Sequence, residues 1–310
     1  MQDITSLPTS NQSYDPREQP WPLEVEVDGK VVNSYPIEFK LNIPRDQTED
    51  MCRHIEYAAS LGLPRLSDVG ERKSGKCIVV GGAPSAAKYL EEIRALAVDP
   101  NNAVFACNWA HTWLIRHGII PHGCLMFEID ADPCQILGNT HPDVTYYVCS
   151  HCHTTTFDGL KDNKVIVWQA PPETKRAAEL QNKHFANDLL IFGGVTTFMR
   201  TLSVALALGW NDFHLFGVDS SFPAESKTTH FEGYPSDVTM ADAMDVWAVV
   251  QKTGAKRHFK TVGYLAQQVD HFQDFCNRNH SLFKMRVYGD GLLRFVHEGC
   301  HPEQYTEDAA

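Results

Sequence analysis

A chain of 310 residues that is 43% hydrophobic and 21% charged has the balance of a globular protein and holds enough apolar material for one large core or two modest ones. Disorder is expected only at the ends. The formal net charge of −12 disfavours a broad basic surface that tracks a nucleic-acid polymer, while leaving room for a local cationic groove.

No apolar run reaches the roughly 18 to 20 residues of a membrane helix. The opening MQDITSLPTSNQSYDPREQPWP lacks the basic-then-apolar order of a secretory leader. The expectation is a cytoplasmic protein with no membrane partner. The nine cysteines are odd in number, and Cys77, Cys107, Cys124 and Cys149 sit in apolar segments. Such usage suits reduced thiols packed as small hydrophobes better than a disulfide framework.

Residues 1–50 mix Pro, Asn and Ser with short alternating stretches at Leu23–Val27 and Val31–Val32, the pattern of an extended arm or small hairpin. A short helix around Asp50–Leu61 ends at Gly62-Leu63-Pro64. From Lys76 onward, apolar β-rich runs alternate with helical segments. The runs are Cys77–Val80, Ala103–Cys107, Cys124–Phe127, Val144–Val148, Val165–Trp168 and Phe213–Phe216. Apolar runs without strict alternation fit strands covered on both faces, so the expected fold is α/β, Rossmann-like and doubly wound, with a mostly parallel sheet and helices on both faces. Helices are expected at Ala86–Leu96, Trp109–His117, Val195–Leu208, Met240–Lys252 and Tyr264–Arg278. The tail from His297 reads as polar and frayed. The expected organisation is an arm with a short helix over 1–65, a nucleotide-binding transferase domain over 66–296 and a flexible tail over 297–310.

Several strand ends carry chemistry. The first runs into Gly81-Gly82-Ala83-Pro84-Ser85 and a helix, where free amides favour an anion such as a phosphate; a plain tight turn is the alternative. The second ends at Asn108, which can read a base or ribose with donor and acceptor together, or cap the next helix. The third ends in Glu128-Ile129-Asp130-Ala131-Asp132, whose carboxylates can hold Mg²⁺ or include a general base, or form a solvated acidic loop. The fourth ends in Cys149-Ser150-His151-Cys152-His153. Here half a zinc site competes with His151 or His153 as acid, base or phosphate ligand, and with packed core residues. Gly193-Gly194-Val195-Thr196-Thr197 opens a second helix, where Gly194, Thr196 and Thr197 contact phosphate or sugar, or merely cap it. Asp219 ends the last of these strands as a metal or ribose ligand. His230, in the loop beyond, is a candidate base or a surface histidine.

From Cys77 to about Arg278, roughly two-thirds of the chain, the sequence resembles the MptE-like 6-hydroxymethylpterin diphosphokinase family, whose fold also occurs in motility-associated factors. The resemblance rests on Val79–Ser85, Gly118-Ile119-Ile120-Pro121, Gly193–Thr197 with Ala205–Gly209, Phe216-Gly217-Val218-Asp219 and His230. The turn followed by Cys107-Asn108 is similar to that of bacterial CMP-sialic-acid-dependent sialyltransferases. By that likeness Gly82, Ser85 and Asn108 bind a nucleotide. The acidic segment 128–132 stands where the family carries TDLDG, and Ser150–His153 where it carries a His-Ala-His run, without reproducing either.

A nucleotide-like pocket without intact diphosphokinase motifs points first to a glycosyltransferase that takes a nucleotide or nucleotide sugar as small-molecule donor. Its acceptor is unassigned, and homo-oligomerisation is compatible with the sequence. The second reading is Mg²⁺-dependent pyrophosphoryl transfer from ATP to a hydroxymethyl group, with Asp130, Asp132 and Asp219 on the metal. The third is a non-catalytic nucleotide-binding or assembly protein.

Overall fold

The computed structural model describes residues 23–27, 30–32, 47–69, 74–129, 137–172, 174–194, 196–224, 227–233, 238–250, 253–279 and 282–305. Its centre is a parallel sheet built from segments too uniformly apolar to leave a face in water. The strands are β3 (Cys77–Val80), β4 (Ala103–Cys107), β5 (Gly123–Met126), β6 (Thr145–Cys149), β7 (Lys164–Trp168), β8 (Asp212–Phe216) and β11 (Lys284–Val287). They lie side by side in the order β11-β8-β3-β4-β5-β6-β7. Every residue of β3 is fully buried, as expected of a central strand covered on both faces.

Consecutive strands step outward from β3 to β7, and the chain then returns to lay β8 on the other side of β3. That return uses helices Lys175–Phe185 and Thr197–Ala207, the second crossing β3, β4 and β5. It buries Phe198, Met199, Leu202, Val204 and Ala205, and each large side chain so buried contributes about 1.5–3 kcal/mol as an upper estimate. Strand order therefore reverses between β3 and β8, which opens a crevice at the strands' carboxyl ends. The doubly wound α/β arrangement expected from the sequence is the one observed.

A second sheet has the order β10-β9-β1-β2 and is antiparallel throughout. It pairs the hairpin β1 (Leu23–Val27) and β2 (Lys30–Val32) with β9 (Met244–Val250) and β10 (Ala255–Thr261). Here the sequence expectation fails, because Met240–Lys252 holds no α-helix among its described residues. A single 3-10 turn, Met240–Asp242, is closed by a Thr239–Asp242 capping box, and β9 follows. The reason is period: Val246, Ala248 and Val250 are buried while Asp245, Trp247 and Val249 are not, an alternation of two that only a strand satisfies.

The C-terminal tail is a second correction, since it is anchored as far as Tyr305. Helix Leu292–Cys300 buries His297 completely, and Tyr305 is only 8% exposed. The tail covers the sheet edge: the β11 amides of Met285 and Val287 donate to Gln304 Oε1 at 2.8 Å and Tyr305 Oη at 3.1 Å. Edge amides of a terminal strand need such partners. Residues 306–310 lie outside the described residues. The strand β11 itself was not anticipated, because Lys284 and Arg286 interrupt its apolar pattern. Among the described residues no helix is long and apolar enough to cross a membrane, and the eight described cysteines form no disulfide.

Two outcomes follow from this packing. Tyr305→Phe strands the Val287 amide and should destabilise by about 1–3 kcal/mol in urea unfolding; an unchanged midpoint would show that the tail does not close the edge. The second concerns acid. Burial holds His111, His151 and His230 at about 4 and His297 at about 3, and lowers His54 and His271. Unfolding lets these imidazoles take up protons, so their contribution is complete above pH 6.5 and is lost as pH falls toward 4. Asp270, lifted to about 7 by burial, and Asp188 and Asp219, also raised, act in the opposite sense. The lowered imidazoles outnumber the raised carboxyls, so the urea midpoint should drop from pH 7 to pH 5; a flat or rising midpoint would contradict this.

Candidate active site

At the switch point the turns after β3 and β8 are pressed together. A side chain on Gly81 would place its Cβ 2.4 Å from the Gly217 carbonyl oxygen, and one on Gly217, at φ +65°, would come 2.6 Å from that of Gly81. Glycine is required at both positions. The contact spends the turn's amides: Gly81 donates to Phe216 O at 2.8 Å and Ala83 to Gly217 O at 2.9 Å. Ser85 follows, donating its hydroxyl to Asp219 Oδ1 at 2.5 Å and its amide to Oδ2 at 3.3 Å. The segment Pro84–Tyr89 is a 3-10 helix, whose Ser85 amide is taken by Asp219 and whose Ala86 amide donates to Ala83 O at 3.2 Å. Pro84 and Gly82 are the half-buried members of the turn, and the Gly82 carbonyl accepts the Phe231 amide at 2.9 Å.

Asp219 is a clamp, which corrects its reading as a metal or ribose ligand. It is 5% exposed and both carboxylate oxygens are engaged by Ser85. Its backbone oxygen accepts the Leu293 amide at 3.2 Å, and Gly289 and Gly291 lie so close that a Cβ on either would fall within 2.8 Å of it. Burial raises its carboxyl while the Ser85 hydrogen bonds lower it. Asp130 and Asp132 fall outside the described residues. Glu128 Oε1 accepts a hydrogen bond from Asn108 Nδ2 at 2.8 Å. Among the described residues no group of three His, Cys, Asp or Glu side chains is placed to hold a metal ion, so no step is routed through one.

Asn108 is the pivot of the edge. It is 6% exposed and sits in the left-handed region at φ 47°, which Asn tolerates better than most residues. Its Nδ2 reaches Glu128 and also Thr197 Oγ1 at 3.1 Å, tying the ends of β4 and β5 to the start of helix Thr197–Ala207. Its Oδ1 is buried with no donor. Thr196 caps that helix through Met199 N and donates to Gln268 Oε1 at 2.5 Å. Gln268 Nε2 in turn donates to Ser220 Oγ at 2.7 Å. Ser220 has φ 55°, a conformation that persists only when its surroundings hold it. Gly194 lies against His271, 2.6 Å from Nδ1 to a hypothetical Cβ.

The candidate histidines separate by environment. The Phe231–Gly82 bond sets His230 beside the turn after β3; it is half-buried, within 3.0 Å of Thr229 Oγ1, and burial holds it at about 4. His153 caps helix Thr154–Gly159, accepting Thr155 N at Nδ1, and its own amide donates to Glu128 O at 3.1 Å. His151 turns inward, 2% exposed, with Nε2 on Gln181 Oε1 at 2.9 Å and its carbonyl on His54 Nδ1 at 3.0 Å. That pairing makes it a packed core residue, which corrects its place among the acid–base candidates. Burial pushes the Cys149 thiol up to about 12 and the Cys152 thiol well above its usual range. His297, in the C-terminal helix, pairs through Nδ1 with Tyr305 Oη at 2.8 Å.

With this geometry in view, the profile of the 6-hydroxymethylpterin diphosphokinase MptE-like family matches residues 54–225, more than half of the chain. The chain belongs to the MptE-like family. The matched span runs from the helix Thr48–Ser60 through β8 and Asp219, and so contains every member of the Gly81–Asn108–Thr197 edge. Among solved structures, the fold of this MptE-like protein is similar to that of MAf glycosyltransferase from Magnetospirillum magneticum AMB-1, with a TM-score of 0.56 and 18% identity. The alignment covers 78% of this chain and 37% of the other, so the chain spans little more than a third of that protein's length, and the likeness is one of fold. Comparison with curated proteins gives no match.

The sequence did not anticipate the Thr196–Gln268–Ser220 chain, since nothing in the spacing of three polar residues on separate elements signals a contact. The clamp is directly testable. Ser85→Ala removes the hydroxyl donor to buried Asp219 Oδ1 and leaves only the backbone amide on Oδ2, and should cost about 1–3 kcal/mol of unfolding free energy. A change within about 0.5 kcal/mol would mean that the pair does not hold the two turns together.

Proposed function

We propose that this MptE-like chain is a nucleotide-dependent transferase whose donor lies across the carboxyl ends of β3 and β4, and that the group transferred is a sugar. The observation that carries the reading is Asn108: a buried carboxamide oxygen without a donor, at the carboxyl end of β4, held there by a left-handed backbone. An unsatisfied buried acceptor costs about 1–3 kcal/mol, which a donor group on a base or ribose would recover. Thr197 at the start of its helix adds a site where a leaving phosphate meets the positive end of the helix dipole.

In this reading an acceptor hydroxyl forms a bond to the donor's anomeric carbon while the bond from that carbon to the nucleotide oxygen breaks. The nucleotide departs with the electron pair, and the hydroxyl proton passes to His230. Burial keeps His230 neutral at pH 7, ready to accept it, and an anionic donor nearby raises its basicity. His153, engaged as a helix cap beside Glu128, is the second base to consider. The commitment of Asp219 to Ser85 supports sugar transfer, because it withdraws one carboxylate from the set that a diphosphokinase would place on Mg²⁺. Pyrophosphoryl transfer from ATP keeps its own support in the description of the matching family.

A thermal-shift panel of CMP, UDP, GDP, ADP, ATP and common nucleotide sugars, each with and without Mg²⁺, separates the readings. Stabilisation by one nucleotide-sugar class, lost in Asn108→Gly by about tenfold or more in affinity, is the expected result. Glycine keeps the left-handed backbone without strain. Stabilisation by ATP alone with Mg²⁺, and release of AMP, would replace sugar transfer by pyrophosphoryl transfer; no stabilisation by any nucleotide would remove both. His230→Asn should retain the nucleotide-induced shift and lose about 10²- to 10⁴-fold in turnover, and undiminished turnover would exclude it as the base.

A further inference from the structure

Helix Thr197–Ala207 carries a cation that the mechanism above does not use. Arg200 lies one turn beyond Thr197, its amide donating to Thr196 O at 3.3 Å. Its guanidinium is oriented on two sides: Nη1 donates to Ile191 O at 2.6 Å, and the group lies over the Phe127 ring, 5.1 Å from the centroid. Neither contact neutralises charge. Arg200 is half-buried, its Nε is buried without a partner, and no described carboxylate pairs with it. Cys149 is nearby but is a thiol that burial keeps protonated. Arg65, Arg257 and Arg294, by contrast, pair with Asp188, Asp290 and Glu298.

The surroundings concentrate this unpaired charge. The Gly193-Gly194 turn lies directly on it, since a Cβ on Gly193 would come 3.1 Å from Arg200 Cδ. On the other side of the turn His271 packs against Gly194, its Nδ1 also buried without a partner. Burial lowers His271 and His151 and the Arg200 charge lowers both further, while Asp274 raises His271; the Asp274 carboxylate is itself paired with Arg278 at 2.8 Å. A desolvated, uncompensated charge is costly to keep, and an arginine fork fits a carboxylate or phosphate in two-point geometry. Residues three apart share a helix face, so this fork stands beside the Thr197–Asn108 pair.

We infer that Arg200, braced by Phe127 and the Gly193-Gly194 turn, is the receptor for an anionic group, carboxylate or phosphate, on the ligand bound at this sheet edge. The receptor itself stands on the unpaired charge; it rests on the proposed transferase reading only for the molecule that brings the anion.

The test uses the full chain with inorganic phosphate and with acetate as probes, each titrated at constant ionic strength against chloride and read by thermal shift. The variants are Arg200→Gln and Arg200→Lys, with circular dichroism as the check on folding. Phosphate or acetate should stabilise the parent chain beyond chloride, the effective anion naming the source. Affinity should fall about tenfold or more in Arg200→Gln and by less in Arg200→Lys, which keeps the charge and loses the fork. No stabilisation by either anion, or equal stabilisation of parent and Arg200→Gln, overturns the inference. Should Arg200→Gln not fold, equal affinity in Arg200→Lys and the parent overturns it instead. Uncharged nucleosides separate the two readings: if no nucleoside or nucleotide binds while phosphate still depends on Arg200, the transferase reading fails and the receptor stands. If nucleotides and phosphate bind equally to parent and Arg200→Gln, the receptor fails and the transferase reading stands.

Discussion

The carboxyl edge of this protein depends on one contact, the closure of the β3 turn onto the β8 turn through Gly81, Gly217 and the Ser85–Asp219 pair. Strand order reverses at that point, so helices diverge on either side and leave a crevice. Without the clamp the two turns would part, and the loop carrying His230 would lose the Gly82 carbonyl that receives Phe231. The same aspartate anchors helix Leu292–Cys300 through its backbone oxygen. One buried aspartate thus joins the turn after β3, the end of β8 and the C-terminal helix, through its carboxylate to Ser85 and its backbone oxygen to Leu293.

Beside the clamp, the edge is organised by unsatisfied groups. Among the described residues, Asn108 Oδ1 is a buried acceptor without a donor and Arg200 Nε a buried donor without an acceptor. Folded proteins rarely leave such groups in the interior, because each costs stability that packing must offset. Asn108 touches Thr197 at the start of the helix Thr197–Ala207, and Arg200 lies one turn further along that helix. The second sheet supports the same edge from outside: Thr261 of β10 donates to the Ser220 carbonyl at 2.7 Å, and Arg257 holds Asp290 next to Gly289 and Gly291.

Much of the central sheet was legible because parallel strands buried on both faces must be apolar along their whole length, and Cys77–Val80 and Ala103–Cys107 are. Where a strand has one wet face the signal blurs: the helix expected over Met240–Lys252 is the strand Met244–Val250, and the charged residues of Lys284–Val287 hide a strand. The edge residues Gly81, Gly82, Ser85, Asn108, Thr196 and Thr197 were legible as strand-end residues, since position after an apolar run is a local property. Their partners were not, because Ser85 meets Asp219 and Thr196 meets Gln268 across more than seventy residues of chain.

The sequence by itself determined the α/β rhythm, the burial of the strands and the family, since these follow from local periodicity and from short motifs. Only the tertiary structure decided which polar residues are spent and which are left over. Asp219 and His151 looked like reactive groups until their partners came into contact, and Arg200 drew no notice until the absence of any described carboxylate beside it could be seen. The physical reason is that a hydrogen bond or an ion pair is a property of two groups brought together by the fold, and the residue types at two distant positions do not state whether they meet.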